Sequence, residues 1–195
     1  MSFNKFVKEI SGMDLIEVKD YKEGRIKEEF KKRPYLRACC RYSEDAIIYK
    51  NEGTHLNQVI YHELGHALLH GMEAKVVYGD TVPTAKFHRE YEAELFAKIT
   101  AMLIDGEYID YLALEKKSDG TVVPASYLNY YRDWATENMD YMLSFNYVKK
   151  RFYYFMARIT NYCKDYEIDY DTTLVEKIME EEEEIFAKAL TYSES

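Results

Sequence analysis

The chain has little cysteine, a single tryptophan, no cluster of basic residues and no long apolar run, and each shortage narrows what it can be. Its three cysteines are an adjacent pair, Cys39 and Cys40, and the remote Cys163. That is neither the even framework of a disulfide-stapled secreted domain nor the Cys-x-x-Cys spacing of a structural zinc site, so reduced, inert thiols are expected. Lys plus Arg number 26 against 35 Asp plus Glu, a formal net charge of -9, and no local patch reverses that balance. Direct binding to nucleic acid is not expected of such a surface. The 20 tyrosines are scattered and accompanied by one Trp, a pattern of amphipathic packing material and not of a platform for stacking bases. Tyr127, Tyr130, Tyr131, Tyr153 and Tyr154 are expected at the edge of the core. Apolar runs fall far short of the roughly 18 residues that a membrane span needs. The N-terminal Met-Ser-Phe-Asn-Lys-Phe-Val-Lys offers no apolar segment ahead of a cleavage site. A cytoplasmic chain with no membrane partner is the expectation, and 195 residues suffice for one domain with a real core.

What the sequence does contain is His62-Glu-Leu-Gly-His66. On an α-helix two residues four apart differ by about 40° in azimuth and roughly 6 Å in height, so both imidazoles can reach one ion. Glu63 projects from a neighbouring line of the same helix, where a carboxylate can take a proton from water activated by the metal instead of ligating it. A His-x-x-x-His pair on an ordinary helix is more often a surface feature. Here the segment from Gln58 to His70 is apolar with a helical period, and Val59, Leu64, Ala67 and Leu68 can face a core. Two histidines and an acid on such a helix need a reason, because unpaired polar groups there cost free energy. A zinc site is that reason.

Upstream, short helices are expected at 3–10 and 21–32, the second stopping before Pro34, and Ala46-Ile-Ile-Tyr49 reads as a strand leading to the motif helix. Gly71 is expected to close that helix. Lys75-Val-Val-Tyr78 reads as a second strand and residues 80–84 as a loop. From Lys86 to Ile104 apolar residues recur at helical spacing, which predicts a second long helix, and a hydrolytic zinc site needs its third protein ligand from there. Glu90, Glu92 and Glu94 alternate. Leu95, Phe96 and Ile99 define the expected buried stripe, and Glu92 lies three, four and seven residues before them, on the same face. Glu92 is therefore the expected third metal ligand, with Glu90 and Glu94 turned to solvent; the competing view is that all three acids merely solvate the helix. His70 stands about 12 Å along the helix from His62, too far to share its ion, and is expected to support the site or to favour the helix C-terminus. His88, Tyr91 or a tyrosine of the C-terminal region could stabilise a developing oxyanion, although a surface histidine is as good a reading of His88.

His62-Glu-Leu-Gly-His-Ala-Leu-Leu-His70, preceded by Ile47-Ile48 and followed by Glu92-Ala-Glu-Leu-Phe-Ala97, resembles the ImmA/IrrE family of zinc metallopeptidases, with the resemblance concentrated in residues 46–104. A weaker similarity runs through Ser144, Val148 and Arg151. The family's second-helix signature, Glu-Ala-x-x-Phe-Ala, falls on Glu92, Ala93, Phe96 and Ala97 and implies Glu92 as a ligand. The resemblance further implies a cytosolic gluzincin-like protease, associated with mobile elements, phages or stress responses, that cleaves a helix-turn-helix repressor. Where the family usually ends this helix with Met-Pro, this chain has Leu103-Ile-Asp-Gly-Glu107.

The remaining chain reads as helical support. Pro124 fits the first position of a helix burying Tyr127, Leu128, Tyr131, Trp134 and Ala135, and further helices are expected at 144–164 and from Asp171. Glu180 to Glu184 read as a solvated face, or as an acidic patch for a basic substrate. The expected fold is α+β and mostly helical, a small β-sheet beside the motif helix and the second ligand-bearing helix. Residues 1–110 form the metallopeptidase core, and 111–195 a helical region packed on it as one compact unit. Two functions compete: a Zn2+-dependent endopeptidase acting on a regulatory protein, and a zinc-folded binding module without turnover that works by protein contact. An intact Glu63 favours the first.

Overall fold

The computed structural model describes residues 3–34, 36–71, 83–109, 112–116, 122–126 and 140–193. Helix α1 spans Phe3–Ser11 and buries Phe6, Val7 and Ile10, one face at helical spacing. Three short strands follow: β1 Asp14–Glu17, β2 Ala38–Arg41 and β3 Ala46–Tyr49, with helix α2, Gly24–Lys32, between the first two. The sheet order is β1-β3-β2. Strand β1 runs parallel to β3, pairing Leu15 with Ile47, and β2 runs antiparallel to it, pairing Cys40 with Ile47.

Central position explains the composition of β3, whose Ala46, Ile47 and Ile48 are all buried. Successive side chains point to opposite faces of a strand. Ile47 accordingly joins the core shared by α1 and the later helices, while Ile48 packs with Tyr21, Ile26 and Phe30 under α2. The sheet is thus covered on both faces. Cys39 and Cys40 follow the same alternation, and with Cys163 they are free thiols. Burial pushes the Cys39 thiol up to about 12, and the Cys40 thiol further up.

The motif helix α3 begins at Leu56, after His55 in a left-handed conformation, and runs to Gly65, then widens into a π-helical turn over His66–His70. Gly71, the last described residue of this segment, caps the turn in a right-handed and not a left-handed conformation. The expected strand at 75–78 lies outside the described residues. Helix α4, Pro83–Ile104, lies against α3. Gly65 marks their closest approach: a Cβ there would stand 3.0 Å from the Cα and the carbonyl oxygen of Ala93 and 3.1 Å from the Phe96 Cβ. Strands β4, Leu112–Lys116, and β5, Val122–Ser126, form an antiparallel hairpin that pairs Pro124 with Leu114. Pro124 is therefore a strand residue and not a helix start. Proline lacks only a donor, and a two-stranded hairpin has outer edges where none is needed. The helix expected around Tyr127 to Ala135 lies outside the described residues.

Helix α5, Asp140–Asp165, and helix α6, Thr172–Ser193, complete the fold. Asp171 accepts the Thr173 backbone N–H at 2.9 Å and so caps α6. Phe152, Met156, Ile159 and Cys163 of α5, with Val175, Ile178 and Met179 of α6, belong to the same core as Tyr61, Leu64, Leu95 and Phe96. Residues 152–179 are thus packed into the body that carries the motif helix. Tyr153 and Tyr154 face out, 38% and 63% exposed, and not toward a core edge. No described helix is long and apolar enough to cross a membrane.

Candidate metal centre

Helices α3 and α4 bring three donor atoms together. His62 Nε2 and His66 Nε2 are 3.1 Å apart, and a Glu90 carboxylate oxygen lies 3.2 Å from the first and 3.5 Å from the second. A tetrahedral zinc with bonds of about 2.0–2.2 Å holds its ligand atoms about 3.3–3.5 Å apart. The observed triangle matches those edges to within about 0.2 Å, the tolerance expected of a metal site. His62, His66 and Glu90 are accordingly a group that could hold a metal ion. All three are partly exposed, Glu90 most at 28% of its side chain.

The other ring nitrogens are engaged as well. His62 Nδ1 lies 2.6 Å from a Glu94 carboxylate oxygen, and Glu94 accepts the Tyr108 hydroxyl at 2.6 Å. His66 Nδ1 lies 3.1 Å from His70 Nδ1, and His70 Nε2 lies 2.7 Å from a Glu92 carboxylate oxygen. Such partners orient metal-binding imidazoles and raise their basicity.

The electrostatics suit a cation. Burial disfavours the His62 imidazolium, but hydrogen bonds to Glu90 and Glu94 outweigh it and hold the pKa well above its ordinary value. Burial likewise pushes Glu90 up, yet hydrogen bonds from His62 and His66 bring it well below the usual carboxylate range. Glu94 is lowered too, the cost of burial being overcome by His62 and then Tyr108.

These contacts correct three expectations. Glu90, not Glu92, meets the two histidines. Glu92 is buried against His70. Glu90 and Glu94 do not turn to solvent, since both bond His62. The stripe argument presumed an amphipathic α4, but Tyr91, Glu92, Ala93, Leu95, Phe96, Ala97, Ile99, Thr100, Ala101 and Leu103 are all buried. A helix enclosed nearly all round has no single inward face to choose by.

His70 lies outside the donor triangle and contacts His66 and Glu92. It lies one turn beyond His66, within the π turn, with the two ring centroids 5.2 Å apart. Tyr91 is fully buried and donates its hydroxyl to Glu182 at 2.6 Å, away from any oxyanion role. Glu182 is 1% exposed, so the acidic run is not wholly a solvated face. Its neighbour Glu183 pairs with Lys149. The His88 side chain lies outside the described residues.

Glu63 is half-buried and acts electrostatically on Cys39, Cys40 and Tyr42, which puts it on the β2 side of α3. Tyr42 donates to the His66 carbonyl at 3.1 Å and braces the π turn. Three residues given no role by sequence reasoning thus shape the centre: Gly65, Glu94 and Tyr108. Asp105-Gly106 was the available signal for Tyr108. Gly106, at φ +74°, turns the chain after α4 so that Tyr108 reaches back to Glu94. Comparison of the chain with family models, with curated proteins and with solved structures gives no match.

Proposed function

We propose that this chain is a zinc-dependent endopeptidase in which His62, His66 and Glu90 hold the metal and Glu63 is the general base. The observation that carries the reading is the donor triangle, whose edges are those of a zinc tetrahedron, with Glu63 one residue from a ligand. Zinc, when bound, supplies Lewis acidity, which makes water acidic and a carbonyl electrophilic. Glu63 takes the proton of the attacking water and delivers it to the leaving amine. Glu94 and Tyr108 keep the His62 ring aimed at the triangle. Strand β2 is an outer strand on the Glu63 side of α3, and among the described residues none pairs with its free edge. An extended peptide can add to such an edge, which supports a protein substrate. The likeness of residues 62–70 to the ImmA/IrrE motif helix points further to a regulatory protein, a helix-turn-helix repressor of a mobile element, phage or stress response.

The test is Glu63→Gln in the full chain, assayed for zinc content and, with purified candidate repressors, for cleavage mapped by mass spectrometry. Full zinc occupancy with cleavage abolished is the expected result. Turnover comparable to the unaltered protein would remove Glu63 from the reaction. An unaltered protein that binds zinc and cuts none of the repressors would favour a binding role.

A further inference from the structure

We propose that His70 and Glu92 are a buried positioning pair for His66, fixing the tautomer and ring orientation that present Nε2 to the ion; the inference rests on the metal reading above. A continuous chain of polar contacts leads from the donor triangle into the protein: His66 Nδ1 to His70 Nδ1 at 3.1 Å, then His70 Nε2 to Glu92 at 2.7 Å. The side chains of His70 and Glu92 are 2% and 10% exposed, against 28% for Glu90. A carboxylate and an imidazole enclosed to this degree cost free energy unless each satisfies the other. Both act through His66 and not on the ion.

The direction of the chain follows from valence. A cation on Nε2 of a neutral His66 leaves the ring's one proton on Nδ1. That N–H donates to His70 Nδ1, which must offer a lone pair, so the His70 proton sits on Nε2 and is donated to the Glu92 carboxylate. In the reverse arrangement His70 Nδ1 donates, the His66 proton moves to Nε2, and the ligand position is blocked. Turning the His66 ring over sets a carbon against His70 and forfeits the bond. One pair of buried groups therefore selects one tautomer and one ring face. The two Nδ1 atoms meet across the π turn over His66–His70. Glu92 is thus the remote anchor of a ligand, the role that Glu94 fills directly for His62.

The experiment compares the full chain with its His70→Phe, His70→Gln and Glu92→Gln variants. Zinc affinity is measured by chelator competition, and long-range 1H–15N spectra of the zinc-loaded histidines show which nitrogen of His66 carries the metal. His70→Phe keeps volume without polarity and is expected to weaken zinc about 10- to 100-fold, with His66 divided between Nε2 and Nδ1 coordination and His62 unchanged. His70→Gln keeps one donor and one acceptor and should recover most of the affinity. Glu92→Gln keeps shape, removes charge, and supplies the same two readouts should His70→Phe not fold; it is expected to weaken zinc and broaden the His66 signals. Wild-type affinity with a single Nε2-bound His66 in both His70→Phe and Glu92→Gln overturns the proposal and leaves the metal site standing. So does a loss that His62 shares equally, which marks a general structural role. An unaltered protein that takes up no zinc fails the metal reading itself, and the positioning role falls with it.

Discussion

Gly65→Ala isolates the contribution of helix spacing to the site. The added Cβ would stand 3.0 Å from the Ala93 Cα and carbonyl oxygen and 3.1 Å from the Phe96 Cβ. Contacts this short are tighter than ordinary van der Waals packing, so each neighbour must give by a few tenths of an ångström. Two of the three atoms are backbone, which no rotamer change can move, so α3 and α4 must separate. Overpacking of this kind costs about 1–3 kcal/mol, partly offset by the roughly 1 kcal/mol that alanine gains over glycine inside a helix. The fold should survive with a modest loss. The donor triangle is less forgiving, because Glu90 lies one turn from Ala93 on α4 while both histidines ride on α3. A shift of a few tenths of an ångström is enough to exceed the tolerance of about ±0.2 Å on metal–ligand distances. Zinc affinity is therefore expected to fall about tenfold or more, in the range of lost supporting contacts. Chelator competition gives the affinity, and thermal unfolding of the metal-free protein gives the stability loss separately. Wild-type zinc affinity in a variant destabilised by 1–2 kcal/mol would refute the reasoning, since the helices would then have separated without moving the ligands.

Two further outcomes are expected. In the metal-free protein the raised His62 pKa means that the imidazolium stabilises the fold; this stability is full below the ordinary histidine pKa and is lost as pH rises through the higher folded value. Zinc must displace that proton, so calorimetry at pH 7 in buffers of different ionisation heat should find about one proton released per zinc, with affinity rising with pH until the His62 value is passed; no release at pH 7 would contradict the His62 assignment. Tyr91→Phe removes the 2.6 Å donor to buried Glu182 and should cost about 1–3 kcal/mol, or roughly 2–4 °C of Tm per kcal/mol for a chain of this length; an unchanged Tm would mean that the contact contributes nothing.

Residues 46–49 and 56–70 were legible because each obeys one strong local rule: a β-branched run in a strand buried on both faces, and an apolar helical period carrying two histidines four apart. The α4 helix was legible for the same reason. Which acid meets the two histidines was not legible. Local pattern ranks the faces of a helix only when one is wet, and α4 is enclosed by α3, α5 and α6. Pro124 shows the same limit from the other side. A proline suits a helix start or an edge strand equally, and the pairing of β5 with residues 112–116 decides between them. The π turn at His66–His70 follows no sequence rule, and neither does the buried contact of His70 with Glu92.

Four carboxylates, Glu63, Glu90, Glu92 and Glu94, share this region with three imidazoles, and their commitments differ in a way that selects the base. Glu90 and Glu94 are held ionised by His62, with pKa values below the usual range. A carboxylate so stabilised is a poor proton acceptor, because protonation must first break its charged hydrogen bonds. Glu92 is bound to His70 in the interior. Glu63, by contrast, has no hydrogen-bond partner among the described residues. It is also the acid on the β2 side, where the free strand edge could seat a peptide. A general base must be able to take up a proton and release it within one turnover. Of the four, Glu63 is the one whose carboxylate lies outside the contacts joining His62, His66 and His70 to acids, which is the ground for proposing it as the base.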